Sequence, residues 1–254
     1  MANSPGYLLK LNRTATHLDA LDIAAQRFVE KHCRASIEFE ADAREYVLRA
    51  HISAQPSPDL SILAGDCAHN LRSALDHIVF QLAQCHHNGP LPESAAKSVE
   101  FPIYTTKTAY RDQAPRKIKL LHPKVQEIIK AMQPYHGGDC DLIGFAHELD
   151  RIDKHRKLNL TVTGSKEIIA TAGFVQAGGF TISQPPGPVE DKADLLRWPI
   201  APGNPDQQPT PQGHATFEVI VSEGPYERWW LVPQLRATGR LIREQVIPPL
   251  LPYL

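Results

Sequence analysis

Apolar residues recur at helical spacing from Thr14 to His32, where Leu18, Leu21, Ile23, Ala25 and Phe28 mark one face and Thr14 or Thr16 offers an N-cap, so this stretch predicts an amphipathic helix. The period then changes to two. Ile37 and Phe39 alternate with Glu38 and Glu40 in Ala35 to Ala41, Glu45 to Ile52 alternates likewise, and Asp42-Ala43-Arg44 joins them, which predicts a β-hairpin. After Pro56-Ser57-Pro58 comes the longest helical pattern in the chain, from about Asp59 to about Gln84, ended by Gly89-Pro90. Val99 to Tyr104 suits an extended edge segment, because Pro102 has no N–H to give a central ladder. A basic run, Arg116 to Lys119, reads as solvated, and a helix is expected from Pro123 to Met132. Another is expected from Asp141 to Lys157, with Leu142, Phe145, Leu149 and Ile152 as its stripe. Beyond it the strand candidates are Asn159 to Thr163, Glu167 to Thr171, Gly179 to Ser183 and Ala215 to Ser222, and a helical pattern from Tyr226 to Val246 closes the chain. Trp229-Trp230 are expected to pack that last helix onto the sheet. Residues 184–213, rich in Pro and Gly, read as a surface excursion or flexible loop anchored by Trp198.

This order of elements predicts an α+β fold. A helical layer, built from the Asp59 to Gln84 and Asp141 to Lys157 helices, is expected to pack on an antiparallel sheet made of the N-terminal hairpin and the C-terminal strands. Residues 1–254 read as one domain with the excursion at 184–213. Hydrophobic residues at 42% and charged residues at 22% allow a sizeable core, and a net charge of −1 leaves no global field toward nucleic acid or an anionic membrane. The four cysteines form no Cys-x-x-Cys pair, so reduced, mostly buried thiols are expected. No signal-peptide pattern and no apolar run near the roughly 20 residues of a membrane span is seen, so a cytoplasmic location is expected. Gly-x-Gly-x-x-Gly, P-loop and Gly-x-Ser-x-Gly patterns are missing, which argues against dinucleotide, NTP and hydrolase-elbow functions.

The chemistry concentrates on the Asp59 to Gln84 helix. Cys67, Ala68, Leu71, Ala74, Leu75, Ile78, Val79 and Leu82 share one arc, and Asp66, His69, Asn70, Ser73, Asp76 and His77 share the opposite one. A merely solvated face would carry Lys and Glu, whereas this one carries poorer helix formers. Three readings follow. In the first, these side chains form a satisfied polar layer or a self-complementary contact between two chains, a homodimer without catalysis. In the second, a divalent metal is held by Asp66, His69, His77, Asp153 and His155, the last two from the Asp141 to Lys157 helix, although the Glu-x-x-His and His-Glu-x-x-His signatures are missing. In the third, without cofactor, His77 is a general base, Arg72 stabilises negative charge, and Asp76 or Asp153 orients the imidazole, with His69 and His155 in the same pocket, for nuclease-like or hydrolytic acid-base chemistry on RNA or a small molecule. Arg72 and His77 point about 140° apart on a helix, so a partner chain would have to complete that site unless Arg72 reaches round.

The string His69-Asn70-Leu71-Arg72-Ser73-Ala74-Leu75-Asp76-His77, with Phe101-Pro102-Ile103 and with Asp153-Lys154-His155-Arg156 further on, resembles a group of bacterial proteins that share "NLRSALDH" and "DKHR" elements. The similarity runs from Pro56 to Leu160 and implies no activity. Arg72 to His77 also resembles the Arg, four to six residues, His motif of HEPN-superfamily ribonucleases, which implies metal-free RNA cleavage by that pair.

Overall fold

The computed structural model describes residues 4–171, 181–182, 187–199 and 212–254. In chain order the elements are α1 (Gly6–His32), β1 (Cys33–Glu40), β2 (Glu45–Ile52), α2 (Pro58–His86), a single turn α3 (Glu93–Ala96), α4 (Lys107–Ile118), α5 (Pro123–Ala131), α6 (Asp141–Asp153), β3 (Leu160–Thr171), β4 (Thr181–Ile182), β5 (Asp194–Pro199), β6 (Gln212–Val221) and α7 (Leu231–Leu241), which runs on through a π turn, Ile242–Val246. The fold is α+β and its strand pairings are antiparallel. The chain divides into two compact units.

The first unit comprises Met1–Leu21, Ser61–Leu158 and Val232–Leu254 and is helical. Helix α1 begins eight positions before the expected Thr14, because Thr14 is no cap: its hydroxyl donates back to the Lys10 carbonyl, 3.0 Å, inside the helix. Tyr7, Leu11, Thr14, Leu18, Leu21, Ala25 and Phe28 are all buried at alternating spacings of four and three, whereas Ile23, expected on that stripe, is half exposed. Helix α2 starts on Pro58, whose missing N–H costs nothing in the first turn, and buries the anticipated arc from Cys67 to Leu82. Each such Leu or Ile contributes roughly 1.5–3 kcal/mol by leaving water.

Two corrections bear on the site. The basic run Arg116 to Lys119 is the end of helix α4, capped at its start by Thr106, with Ile118 buried and Lys117 paired to Glu100. Helix α6 stops at Asp153 rather than Lys157: the Lys154 and His155 amides reach the Asp150 and Ile152 carbonyls, 3.1 and 3.0 Å, as the last turn tightens, so His155 stands in an exposed turn. Val99 to Tyr104, expected as an extended edge segment, is irregular and pairs with no strand among the described residues. Its backbone is held by side chains: Phe101 N–H donates to Asp76, 2.9 Å, while buried Gln133 accepts from Tyr104 N–H, 3.1 Å, and donates to the Pro102 carbonyl, 2.8 Å.

The second unit comprises Asp22–Leu60 and Asn159–Leu231 and holds every described strand. One sheet has the order β1-β2-β5-β4 and the other pairs β3 with β6. The hairpin forms as expected, with Ile37 opposite Leu48 and Phe39 opposite Tyr46. The excursion expected at 184–213 is in part a strand: β5 pairs with β2, and Trp198 lies buried opposite Tyr46. Residues 184–186 and 200–211 of that excursion lie outside the described residues, as does most of the Gly179 to Ser183 strand candidate. Arg49 bridges Glu38, Glu40 and Asp194, and Arg197 bridges Glu40 and Glu45, so ion pairs tie β1, β2 and β5 across one polar face. Trp229 and Trp230 precede α7 instead of lying on it, with Trp230 bridged to Ile220.

Candidate active site on helix α2

The structure sorts the side chains of the polar arc of α2, with Arg72, into three groups, all within the first unit. The first joins α2 to α6. His69 Nδ1 lies 3.1 Å from Asp150 Oδ1, and the other oxygen of Asp150 accepts from Lys154 Nζ at 2.6 Å. On the far side of the ring, His69 Nε2 lies 3.4 Å from Ser73 Oγ, one turn along the same helix. The His69 side chain is 50% exposed and that of Asp150 only 4%, so an open imidazole is anchored on a buried acid. A carboxylate only accepts, so Nδ1 carries the ring proton and in the neutral imidazole Nε2 is bare. That is the tautomer a general base requires.

Asp66 and Asp153 border this group. The Asp153 carboxyl lies against the backbone of Gly65 so closely that a methyl group there would overlap it. Burial, then the charges of Asp66 and Asp150, push the Asp153 carboxyl above the usual aspartate range, against an opposing pull from His69.

The second group is Arg72, Asp76 and the Phe101 backbone. Arg72 is 9% exposed and its guanidinium pairs with Asp76 one turn on, whose same oxygen accepts from Phe101 N–H. Burial outweighs Arg72 and raises the Asp76 carboxyl. His147 of α6 is held down to about 4 by burial and then by the charges of Arg72 and, less, Lys117, against Asp150 and Glu148, and its Nδ1 is enclosed with no hydrogen-bond partner among the described residues. The third group is His77, which is exposed and packed on Gly6 of α1, where a methyl group would overlap the ring. Nearby, Asn70 donates to the Asp66 carbonyl, 2.8 Å, and accepts from Lys10, 3.3 Å.

Of the residues named from sequence, His69 and Asp153 thus share one site bordered by Asp66. Arg72 and Asp76 form another, and His77 and His155 stand apart. No hydrogen bond or ion pair joins Arg72 to His77 among the described residues, and no three of His, Cys, Asp and Glu gather as metal ligands among them. Asp150, Lys154 and His147 join these groups without having been named as site residues from the sequence. The usable signal was the four-residue spacing of His69 with Ser73 and of Asp150 with Lys154. Burial pushes the Cys67 thiol up to about 12 and the Cys33 thiol up to about 11, which disfavours these two as nucleophiles; of the four thiols expected to be mostly buried, only Cys67 is fully so, and Cys85 is exposed.

No helix among the described residues is long and apolar enough to cross a membrane. Comparison with protein-family models, with curated proteins and with solved structures returned no match.

Proposed function

We propose that this chain is a hydrolytic acid-base catalyst whose general base is His69, acting on a small uncharged or cationic substrate. The observation that carries this reading is the half-exposed imidazole hydrogen-bonded at 3.1 Å to a buried carboxylate, with its second nitrogen turned to Ser73. A base must be open to substrate on one nitrogen and oriented through the other. Its charged neighbours choose the substrate class. Asp66, Asp150 and Asp153 outnumber Lys154, so a polyanion such as RNA is repelled where a neutral ester or an amine-bearing one is not. The Arg72-His77 ribonuclease reading has less support, since Arg72 is buried in an ion pair with Asp76. The four free cysteines support a reducing, cytoplasmic setting.

The test is hydrolysis of p-nitrophenyl acetate and of single-stranded RNA by wild type, His69→Gln and His77→Ala. Ester turnover above that of equimolar free imidazole is expected, falling by about 100-fold or more in His69→Gln. Equal ester rates in wild type and His69→Gln overturn the reading, as does RNA cleavage that depends on His77.

A further inference from the structure

Resting on the His69 reading, we propose that Ser73 is a nucleophile and that the reaction passes through a covalent acyl-serine. Ser73 Oγ stands 3.4 Å from His69 Nε2 on the side of the ring opposite Asp150, so hydroxyl, imidazole and buried carboxylate lie in one line of hydrogen bonds. Such a constellation is recognised by geometry and roles, wherever its members fall in the chain. Lys154 on the outer oxygen of Asp150, 2.6 Å, leaves the inner one to the imidazole and fixes the carboxylate plane. Ser73 is partly exposed, on the same open side as His69, so a substrate carbonyl has access to it.

The steps balance. Ser73 Oγ bonds to the acyl carbon while its proton passes to His69 Nε2, and collapse of the tetrahedral adduct breaks the carbon–leaving-group bond as that proton moves to the departing oxygen. Water then attacks the acyl-serine, giving a proton to the same Nε2, and Ser73 departs by taking it back. The acid is released, the ester oxygen leaves as an alcohol, and nothing is oxidised or reduced.

The position of Ser73 also sets the substrate. It lies inside α2, where backbone N–H groups are committed to the helix ladder, so the helix that carries Ser73 offers no pair of amides to hold an oxyanion. A full oxyanion hole adds about 100- to 1000-fold to such reactions. Without one, the site favours esters whose leaving group is already acidic, such as aryl or enol esters, over amides. Asp66 and Asp153 extend the preference to acyl groups that carry no negative charge.

The experiment labels wild type, Ser73→Ala, Ser73→Cys and His69→Gln with an alkyl fluorophosphonate, which loses fluoride to an activated serine, and locates the adduct by mass spectrometry. The same proteins are assayed on p-nitrophenyl acetate and its p-nitroanilide counterpart. Expected are one adduct per chain on Ser73, labelling at least 100-fold slower in His69→Gln, a burst of p-nitrophenol, an acyl-enzyme on the Ser73→Cys thiol, and anilide turnover far below ester turnover. An unlabelled Ser73, or ester turnover that survives in Ser73→Ala but falls in His69→Gln, overturns the nucleophile and leaves His69 as a base acting on water. Turnover indifferent to both residues overturns this proposal and the His69 reading together.

Discussion

Two polar groups three residues apart on one helix have opposite designs. Around Arg72 the design is closed: the buried guanidinium pairs with the Asp76 carboxylate, whose same oxygen holds the Phe101 amide, so the group fastens the segment Phe101-Pro102-Ile103. Around His69 it is open: the acid is buried, but the ring it holds faces solvent with a bare nitrogen. Buried polar groups are normally satisfied for stability alone. Under the proposed function, what marks a group as chemical is a satisfied interior end joined to an accessible outer one, an arrangement His69 has and Arg72 lacks.

The sharpest way to break this contrast is Arg72→Met, which keeps the aliphatic stem and removes the charge. Leaving a mostly buried carboxylate without its cation costs about 3–5 kcal/mol when both partners are fully buried. Because Asp76 is 35% exposed, a loss of about 2–3 kcal/mol is expected, read from the urea midpoint. A midpoint shift below about 0.5 kcal/mol would make the Arg72 group as dispensable as an ordinary surface pair.

A smaller effect is expected from His147, which belongs to the closed group. Its folded value of about 4 lies below the ordinary 6.5, so the folded state prefers the neutral ring. The associated stability is complete above pH 6.5 and is lost as pH falls from there toward about 4, where both states are protonated. The full shift corresponds to about 3 kcal/mol, and partial solvent access reduces this to about 2 kcal/mol. His147→Gln is expected to flatten that limb of the stability profile, and an unchanged slope would contradict the burial of this ring.

The smallest effect sharpens the open group. Gly65→Ala gains about 1 kcal/mol of helix propensity but displaces the Asp153 carboxyl from the Gly65 backbone. Net stability is expected to move by less than about 1 kcal/mol, while the Asp153 titration, followed by carboxyl NMR, returns toward the ordinary range as burial and the nearby Asp66 and Asp150 charges are escaped. An Asp153 titration indifferent to this change would show that the close packing does not set it.

Local pattern made much of this legible. The buried arc of α2, the hairpin and the α+β class all follow from periodicity. The start of α1 was hidden because Thr14 has cap chemistry in sequence but bonds backward within the helix. Strand β5 was hidden by its Pro-rich surroundings, and its pairing with β2 depends on Arg49 and Arg197 meeting carboxylates from distant strands. At the site, the polar arc and the His69-Ser73 spacing were readable, whereas the choice of Asp150 as partner was not. A contact across 81 positions is set by how α2 and α6 pack, and nothing local ranks Asp150 above Asp153 or Glu148.

The most direct measurement is the tautomer of His69, read by long-range proton–nitrogen correlation NMR at a pH where the ring is neutral. A protonated Nδ1 held by Asp150 and a bare Nε2, with that preference weakened in Asp150→Asn, is the expected result. A ring protonated at Nε2, or averaging freely between both forms, would contradict a base oriented by a buried acid.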